Sequence, residues 1–288
     1  MSISTRRARL RAILGGDSLV PMATIFDPIS ARFADDMGFA AGLMGGSLAS
    51  YAVLGAPDLI LLTLTELAEQ VHRCTRAGEV PLVVDADHGY GNALNAMRAI
   101  EELDHAGAAA VMIEDTLLPR PYGPSSTAQL LPLDESAGKI KAAVAARGDS
   151  DLLVLGRTSA ASITSVDDAV ARLCAYAEAG VDGVFVPGLR TRDELDRIAT
   201  AVRVPIAAGS PAEPLADAAY LASRRVRLWS TGHQTFSVAV EALRAAMQAV
   251  RDGTASSRLA GAASKDVLDR ATAAGAYEQS IRRFLGGA

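Results

Sequence analysis

The chain has 288 residues, of which 50% are hydrophobic and 21% charged, and its formal net charge is -5 at pH 7. This composition excludes a disordered chain, and the length fits one large domain or two ordinary ones. Acidic and basic residues are interspersed without a basic stripe, which argues against nucleic acid as a partner.

The first residues and the two cysteines indicate where the protein works. The opening segment, MSISTRRARLRAIL, is basic but lacks the continuous apolar stretch of a secretory signal. Apolar runs stay well short of the roughly 20 residues that a membrane helix needs. Cys74 and Cys174 lie in stretches with a helical pattern, so we expect buried thiols rather than a disulfide. We predict a soluble cytoplasmic protein with no membrane partner.

Apolar segments of strand length recur along the whole chain. In order they are 21–27, 41–46, 81–87, 109–115, 152–158, 181–188, 205–209 and 226–231. Segments with the helical period alternate with them, at 30–39, 64–78, 93–107, 134–148, 166–180, 193–202 and 214–225. The strands are apolar throughout, which indicates burial on both faces in a parallel sheet covered by helices.

Eight such repeats predict an α/β fold, a closed (β/α)8 barrel of the TIM type, in a single domain over residues 1–288. A doubly wound open sheet is the alternative, but no G-x-G-x-x-G motif follows the first strand. We place the barrel at about 18–236. Helical patterns at 235–253 and 265–285 exceed what closes a barrel, and they predict a C-terminal oligomerisation segment at about 237–288.

Two acids one residue apart, Asp85 and Asp87, end the third strand in VVDADHGYGN. In a parallel barrel the carboxyl ends of all strands open on one rim, where active sites of this fold lie. The strand period of two places both carboxylates on one face, and Glu114 ends the next strand. Such a group favours a divalent cation, since Mg²⁺ binds one or two carboxylates directly and keeps several waters. Aspartates that only cap a glycine turn are the alternative.

Other residues at the predicted rim carry weaker signals. Gly45, Gly46 and Ser47 end the second strand, where backbone N–H groups can bind an anion, although a tight turn has the same sequence. Arg157 ends the fifth strand, where its guanidinium can bind a substrate carboxylate. His233 follows the eighth strand, where it can transfer a proton or donate a hydrogen bond to a substrate oxygen. A structural arginine and a structural loop histidine are the alternatives.

One further histidine, His88, stands beside the predicted metal site. Because it follows Asp87 immediately, its side chain is expected to point away from the face that the acids share. We therefore interpret His88 as a surface or loop histidine and not as a ligand.

Six segments occur in a fixed order along the chain: FDPISARFADDMGF, GGSLAS, APDLILLT, DADHGYGN, IEDTLLP and GRT. They resemble the signature segments of the isocitrate lyase and phosphoenolpyruvate mutase superfamily over most of the chain. The histidine after DAD, the segment EDTLLP and the GH near the eighth strand are most similar to its oxaloacetate decarboxylase branch.

The resemblance implies a lyase that binds a 2-oxo acid with Mg²⁺, or Mn²⁺ in its place, and whose eighth helix packs on a partner subunit, giving dimers that pair into tetramers. The catalytic residues that we predict from it are Arg157, His233 and Asp58. The other implied roles are Asp87 as the direct metal ligand, Asp85 and Glu114 as holders of its waters, and Gly45, Gly46, Ser47, Arg157 and His233 as the substrate site.

The chain departs from the superfamily pattern at three places. Relatives that cleave isocitrate-like substrates have Lys-Lys-Cys-Gly-His or Lys-Arg-Cys-Gly-His after the fourth strand, where this chain has RPYG at 120–123 and no thiol. After the Arg-Thr of the fifth strand, many members have an acid or Asn, followed by Ala and Glu, whereas this chain has Ser-Ala-Ala at 159–161. Gly-Ser-Pro at 209–211 stands in the loop where the decarboxylases have a tyrosine.

We predict Mg²⁺-dependent decarboxylation of oxaloacetate, or of a close 2-oxo dicarboxylate, to pyruvate and CO₂ through an enolate. Retro-aldol cleavage needs a general acid to protonate the departing enolate, and this chain lacks the loop thiol that supplies it in the lyases. Decarboxylation has no such requirement, because CO₂ leaves as a neutral molecule. Three alternatives stay open. They are a C–C or C–P lyase or hydrolase for a related acid such as phosphonopyruvate or an alkylmalate, a catalytically silent 2-oxo acid-binding barrel, and an enzyme with a substrate unlike those of the superfamily.

Overall fold

The computed structural model describes residues 1–120, 122, 128–209, 215 and 217–286. Its eight strands pair in parallel and in chain order, and the first also pairs with the last, which closes the barrel. The strands are β1 Val20–Thr24, β2 Ala41–Met44, β3 Leu82–Asp85, β4 Ala110–Glu114, β5 Leu153–Arg157, β6 Gly183–Val186, β7 Ile206–Gly209 and β8 Val226–Ser230. The predicted (β/α)8 barrel is confirmed.

Helices follow the strands around the barrel. In the described ranges they are α1 Ile3–Gly15, α2 Pro28–Asp36, α3 Gly46–Leu54, α4 Leu64–Ala77, α5 Ala93–His105, α6 Leu133–Ala146, α7 Ala160–Ile163, α8 Val166–Glu178, α9 Arg192–Ala201, α10 Ala218–Ser223, α11 Gln234–Arg251, α12 Lys265–Thr272 and α13 Ala274–Phe284. The predicted helix at 265–285 is wrong as one element, because Ala273 adopts a left-handed φ of 54° and separates α12 from α13.

The strand side chains fill two cores, one inside the barrel and one beneath the helices. This explains why the strands are apolar throughout rather than at every second residue. The inner core includes Met22, Leu43, Val83, Met112, Leu155, Phe185 and Leu228. The outer core includes Val84, Val111, Ile113, Val154, Val184 and Ile206, together with buried helix residues such as Leu67, Ile100 and Ile198.

The first helix, α1, is not predicted by the sequence pattern. Its Leu10 and Leu14 are buried and join the inner core of the barrel. Two of its arginines also turn inward: Arg7 Nε donates a hydrogen bond to the Ala108 carbonyl at 3.0 Å, and Arg6 is likewise buried. Because arginines occupy positions in the buried face of α1, the sequence there lacks the regular apolar period that predicts an amphipathic helix.

The C-terminal helices lie outside the barrel. Helix α11 has no buried residue, and it exposes Val238 (69%), Leu243 (62%) and Met247 (64%). Helix α12 returns to pack on α2, where Arg270 forms an ion pair with Asp36 at 3.3 Å. The predicted start of the oligomerisation segment at 237 falls inside α11. Helix exchange between subunits stays a prediction, and within the described ranges no helix has the length and hydropathy to cross a membrane.

The two cysteines give a test of the core. Cys74 is buried in α4, and burial raises the pKa of its thiol to about 12, whereas Cys174 is half-buried. Because the thiolate is the reactive form, we expect an aromatic disulfide reagent at pH 8 to titrate at most one thiol per native chain and two in denaturant. Rapid reaction of two thiols in the native protein would contradict this burial.

Candidate active site

A cavity of about 520 Å³ opens at the carboxyl ends of the strands, within the size range of small-ligand sites. The sequence-predicted residues that line it are Gly45, Ser47, Asp58, Asp85, Asp87, Glu114, Arg157 and His233. The structure thus brings together eight of the nine predicted site residues. The ninth, Gly46, is not part of the lining but lies directly against the carboxylate of Asp87, which a Cβ atom at this position would overlap.

Asp85 and Asp87 meet in the cavity for a reason other than the one expected. Strand β3 ends at Asp85, so the strand period of two does not extend to Asp87. Asp87 instead adopts a left-handed φ of 48°, a conformation that aspartate tolerates better than most residues. Its backbone N–H donates to Asp85 Oδ1 at 3.2 Å, and its carbonyl accepts from the Glu114 N–H at 2.8 Å. The turn after β3, and not the strand itself, therefore directs the Asp87 side chain into the cavity.

Arg157 pairs with two of the three predicted metal-site acids. Its Nη1 donates a short hydrogen bond to Asp85 Oδ2. Its Nε lies 2.9 Å from Glu114 Oε2, but neither of these two atoms has a hydrogen-bond partner in the described part of the chain, so this contact is an ion pair only. The pairing follows from strand register, because Glu114 and Arg157 are partners across β4 and β5.

The acids around the cavity disturb one another's protonation. Burial, and then the charges of Asp85, Glu114 and Asp58, raise the pKa of Asp87 well above its usual value. Burial raises the pKa of Glu114 to about 7, although Arg157 opposes the shift. Burial also lowers the pKa of Arg157, but the three nearby carboxylates raise it by more, so the guanidinium stays charged. The cavity therefore brings four acids close together, and Arg157 forms ion pairs with only two of them.

These acids fit a divalent cation that takes one protein carboxylate directly. The described ranges contain no group of three His, Cys, Asp or Glu side chains that could hold a metal ion together. Asp85 and Glu114 face Arg157, whereas the carboxylate of Asp87 receives no hydrogen bond from a described side chain. Mg²⁺ commonly binds one or two carboxylates directly and keeps several waters. The carboxylate of Asp87 suits the direct ligand, and those of Asp85 and Glu114, which pair with Arg157, suit acceptors for the waters.

The second strand contributes an anion-binding edge. Gly46 begins α3, whose N-terminal N–H groups and dipole favour negative charge. Ser47 Oγ donates a hydrogen bond to Asp58 Oδ2 at 2.8 Å, so the serine and this acid are fixed together at the cavity wall. The predicted glycine turn is therefore the start of a helix, which the sequence pattern does not predict.

His233 lies beside Gly45 across the cavity mouth. A Cβ atom on Gly45 would come within 3.1 Å of His233 Cε1, so glycine leaves room for the imidazole. Burial lowers the pKa of His233, although Asp85 and Asp58 oppose the shift. The ring is neutral near pH 7 and can exchange a proton with a bound molecule.

The interpretation of His88 as a surface histidine is wrong, although it does lie in a loop, in the turn after β3. Its side chain does not line the cavity, as expected, but it is only 4% exposed. Burial, and then the charge of Lys139, lower its pKa to about 4. The turn that carries Asp87 folds His88 inward beneath the rim, and a residue-by-residue alternation cannot predict this.

The sequence analysis assigns no role to several residues that line the cavity. Phe185 lies under Arg157, with 5.7 Å between the guanidinium carbon and the ring centroid. Arg120, from the loop that lacks the thiol, also reaches the cavity. Phe185 stands in an ordinary apolar strand, so no local signal marks it.

The three departures from the superfamily pattern differ in their position relative to the cavity. Gly209 lines the cavity and packs against Phe185, whose ring would meet a Cβ at 3.1 Å. Residues 159–161 lead into and begin α7. The remaining positions of these departures, Pro121, Gly123, Ser210 and Pro211, lie outside the described residues.

Comparisons with known proteins agree with this architecture. The sequence matches the family described as phosphoenolpyruvate phosphomutase over residues 10–251. It is 62% identical to an oxaloacetate decarboxylase of Paraburkholderia xenovorans (strain LB400) over 284 residues, 99% of this chain and 95% of that protein. An oxaloacetate decarboxylase of Rhodopseudomonas palustris (strain BisB5) is 52% identical over 286 residues, 99% of each chain. A solved structure of phosphonopyruvate hydrolase with oxalate and Mg²⁺ has a TM-score of 0.86 and 28% identity, covering 97% of this chain and 99% of that one.

These matches bear on the resemblance found in the sequence. The likeness to the isocitrate lyase and phosphoenolpyruvate mutase superfamily, and to its oxaloacetate decarboxylase branch, is confirmed. The prediction of an enzyme, a lyase, is confirmed by the same relatives. Because the family match spans most of the sequence, this chain belongs to the phosphoenolpyruvate phosphomutase family.

Proposed function

We propose that this chain decarboxylates oxaloacetate to pyruvate and CO₂, with Mg²⁺, or Mn²⁺ in its place, at Asp87. The charge of the cavity carries the proposal: four carboxylates line it, and Arg157 pairs with only two of them. The carboxylate of Asp87, which has no ion-pair partner among the described residues, can bind a cation. That cation would in turn attract a doubly negative 2-oxo acid. The likeness to two oxaloacetate decarboxylases supports this substrate.

A cation at Asp87 would supply Lewis-acid stabilisation of negative charge on the oxygens of a 2-oxo acid. The N-terminus of α3 and Ser47 receive a substrate carboxylate. Arg157, held in place by Asp85 and Glu114, offsets the charge of the dianion and orients it. Phe185 and the other apolar side chains at the cavity floor exclude water.

The chemical step breaks the bond between C3 and C4 of oxaloacetate. Its electron pair stays with the three-carbon fragment as the enolate of pyruvate, and CO₂ leaves neutral. One proton must then reach C3, and His233 or a water at the cavity mouth delivers it. Because burial lowers the pKa of His233, its ring is neutral near pH 7 and must first take up the proton that it delivers.

The experiment that tests this function identifies products. Purified protein with Mg²⁺ is incubated with oxaloacetate, phosphonopyruvate, alkylmalates and 2-methylisocitrate, and the products are followed by NMR. We expect pyruvate from oxaloacetate, suppression by EDTA and inhibition by oxalate as an enolate mimic. Mg²⁺ without protein controls for spontaneous decarboxylation.

Other outcomes point elsewhere. Succinate from 2-methylisocitrate at a rate well above oxaloacetate turnover would mean that another residue replaces the missing thiol. Phosphate from phosphonopyruvate would favour the activity named for the solved relative. A thermal shift with oxalate and Mg²⁺ without turnover of any 2-oxo acid would favour a binding protein instead.

We further propose a homotetramer that buries the apolar face of α11. The exposed Val240, Leu243, Met247 and Val250 share one face of the helix and support it, because contiguous apolar surface marks contact sites. Light scattering is expected to give the mass of four 29.8 kDa chains. Leu243→Glu should reduce that mass, and Leu94→Glu, at a leucine on α5 that is also largely exposed, should leave it unchanged. A monomeric wild-type chain would contradict the assembly.

We place the protein in the cytoplasm, again as a proposal. Cys74 and Cys174 are both free thiols, and they lie on α4 and α8. Unpaired cysteines suit a reducing compartment.

A further inference from the structure

Helix α6 carries a lysine in the stripe that faces the core. Its buried residues are Ser136, Lys139, Ile140 and Ala143, the spacing of one helix face, and Lys139 is only 3% exposed. Lys141, two residues further on, is exposed. A buried ammonium without a carboxylate partner is costly, and no described carboxylate lies within ion-pair distance of Lys139. This residue therefore needs a reason beyond packing.

The single hydrogen bond of Lys139 among the described residues goes to the turn that carries Asp87. Lys139 Nζ donates to the carbonyl of His88 at 2.9 Å, in a buried setting. The buried Nδ1 of the His88 ring has no hydrogen-bond partner in the described ranges, and the ring contacts Tyr90 of the same turn with 5.9 Å between the ring centroids. The bond joins α6 to the peptide between His88 and Gly89, one residue beyond Asp87.

This turn is in a conformation that needs support. Left-handed φ values occur at Asp87 (48°), Gly89 (76°), Tyr90 (62°) and Gly91 (148°), and two of these residues are not glycine. At Asp87 and Tyr90, which are not glycine, such backbone is strained and persists where the surroundings impose it. Two backbone bonds brace the turn, from Gly89 to Ala86 and from the Glu114 N–H to Asp87.

Side chains add two contacts to the same turn. Asp85 accepts a hydrogen bond from the Asp87 N–H on the cavity side, and Lys139 donates to His88 on the opposite side. Burial lowers the pKa of Lys139, whereas the charges of Glu135, Asp115 and Glu114 raise it, so the ammonium interacts with one acid of the cavity, Glu114. Lys139 can thus offset negative charge without occupying the cavity.

We propose that Lys139 is a positioning residue: its buried ammonium holds the His88 carbonyl and thereby fixes the turn that places the Asp87 carboxylate for a divalent cation. The inference rests on the proposed metal site at Asp87. Residues that orient a metal ligand from behind typically change metal affinity by about 10–100-fold when they are replaced.

The test is Mn²⁺ titration of the full-length chain, followed by electron paramagnetic resonance, without a need for turnover. Lys139→Met is expected to weaken the Mn²⁺ Kd by about 10-fold or more, and Lys139→Arg, which keeps a charged donor, to recover most of it. Lys141→Met is the matched control on the same helix and should leave the Kd unchanged. If Lys139→Met does not fold, Lys139→Gln keeps an N–H donor and separates the hydrogen bond from the charge.

Two further measurements separate the possible failures. Hydrogen exchange of the Glu114 amide, which donates to Asp87, should speed up in Lys139→Met. An unchanged Kd in Lys139→Met, together with lost binding in Asp87→Asn, would overturn the role of Lys139 and leave the metal site standing. Wild-type affinity in Asp87→Asn would overturn the metal site, and the role of Lys139 with it.

Discussion

Replacing Asp87 with asparagine is expected to lower the oxaloacetate decarboxylation rate by about 10³-fold or more. Arg157 pairs with neither Asp58 nor Asp87, and Asp58 accepts a hydrogen bond from Ser47, so the proposed cation depends on Asp87. A metal ion supplies several kcal/mol of charge stabilisation, and each 1.4 kcal/mol is tenfold in rate. Initial rates of pyruvate formation at saturating Mg²⁺ measure the effect. Asp85→Ala and Glu114→Ala should weaken metal binding less than Asp87→Ala does.

The same variant should stay folded. In EDTA we expect Asp87→Asn to melt at or above the wild-type temperature, because a neutral amide removes one charge from a crowded acid cluster. Mg²⁺ should raise the melting temperature of the wild type but not that of the variant. Asp35→Asn is the control, since Asp35 is also a partly buried acid but lies away from the cavity. A normal Mg²⁺ affinity of Asp87→Asn in calorimetry would show that the metal assignment is wrong.

Arg157→Ala is expected to reduce kcat/KM by about 10²-fold or more, consistent with about 3 kcal/mol for a charge-assisted contact. The structure adds a second effect. Removing one partner of a buried ion pair typically destabilises a protein by about 3–5 kcal/mol, and Arg157 is the partner of both Asp85 and Glu114. Steady-state kinetics and urea unfolding measure the two effects separately.

The loss of stability in Arg157→Ala should grow with pH. Arg157 lowers the pKa of Glu114, so its removal moves that pKa further above the value in the unfolded chain. The folded state then binds more protons than the unfolded state, and the free energy of unfolding falls as pH rises through this interval. Unfolding in EDTA at pH 5.5 and pH 8 tests the sign.

Arg7→Ala is the matched control for Arg157→Ala. Arg7 is buried and paired with Asp104 at 2.5 Å, in α1 and away from the cavity. It should lose comparable stability while kcat/KM stays near the wild-type value. Equal losses of kcat/KM in both variants would mean that destabilisation, and not contact with the substrate, explains the kinetics.

The sequence by itself determined the barrel and the rim. A strand buried on both faces must be apolar along its length, and that pattern is local, so all eight strands could be predicted. Parallel strands place their carboxyl ends at one edge, which is why polar residues far apart in sequence were expected to meet. Asp85, Glu114 and Arg157 line one cavity on this basis alone.

Only the tertiary structure decided how these residues pair and which backbone holds them. Glu114 meets Arg157 because of the register between β4 and β5, and register depends on closure of the whole barrel. Lys139 is buried while Lys141 is exposed, although both are lysines of one helix. Asp87 reaches the cavity through a left-handed turn that α6 supports from behind. Such contacts join segments that no local period connects, so they follow from packing and not from pattern.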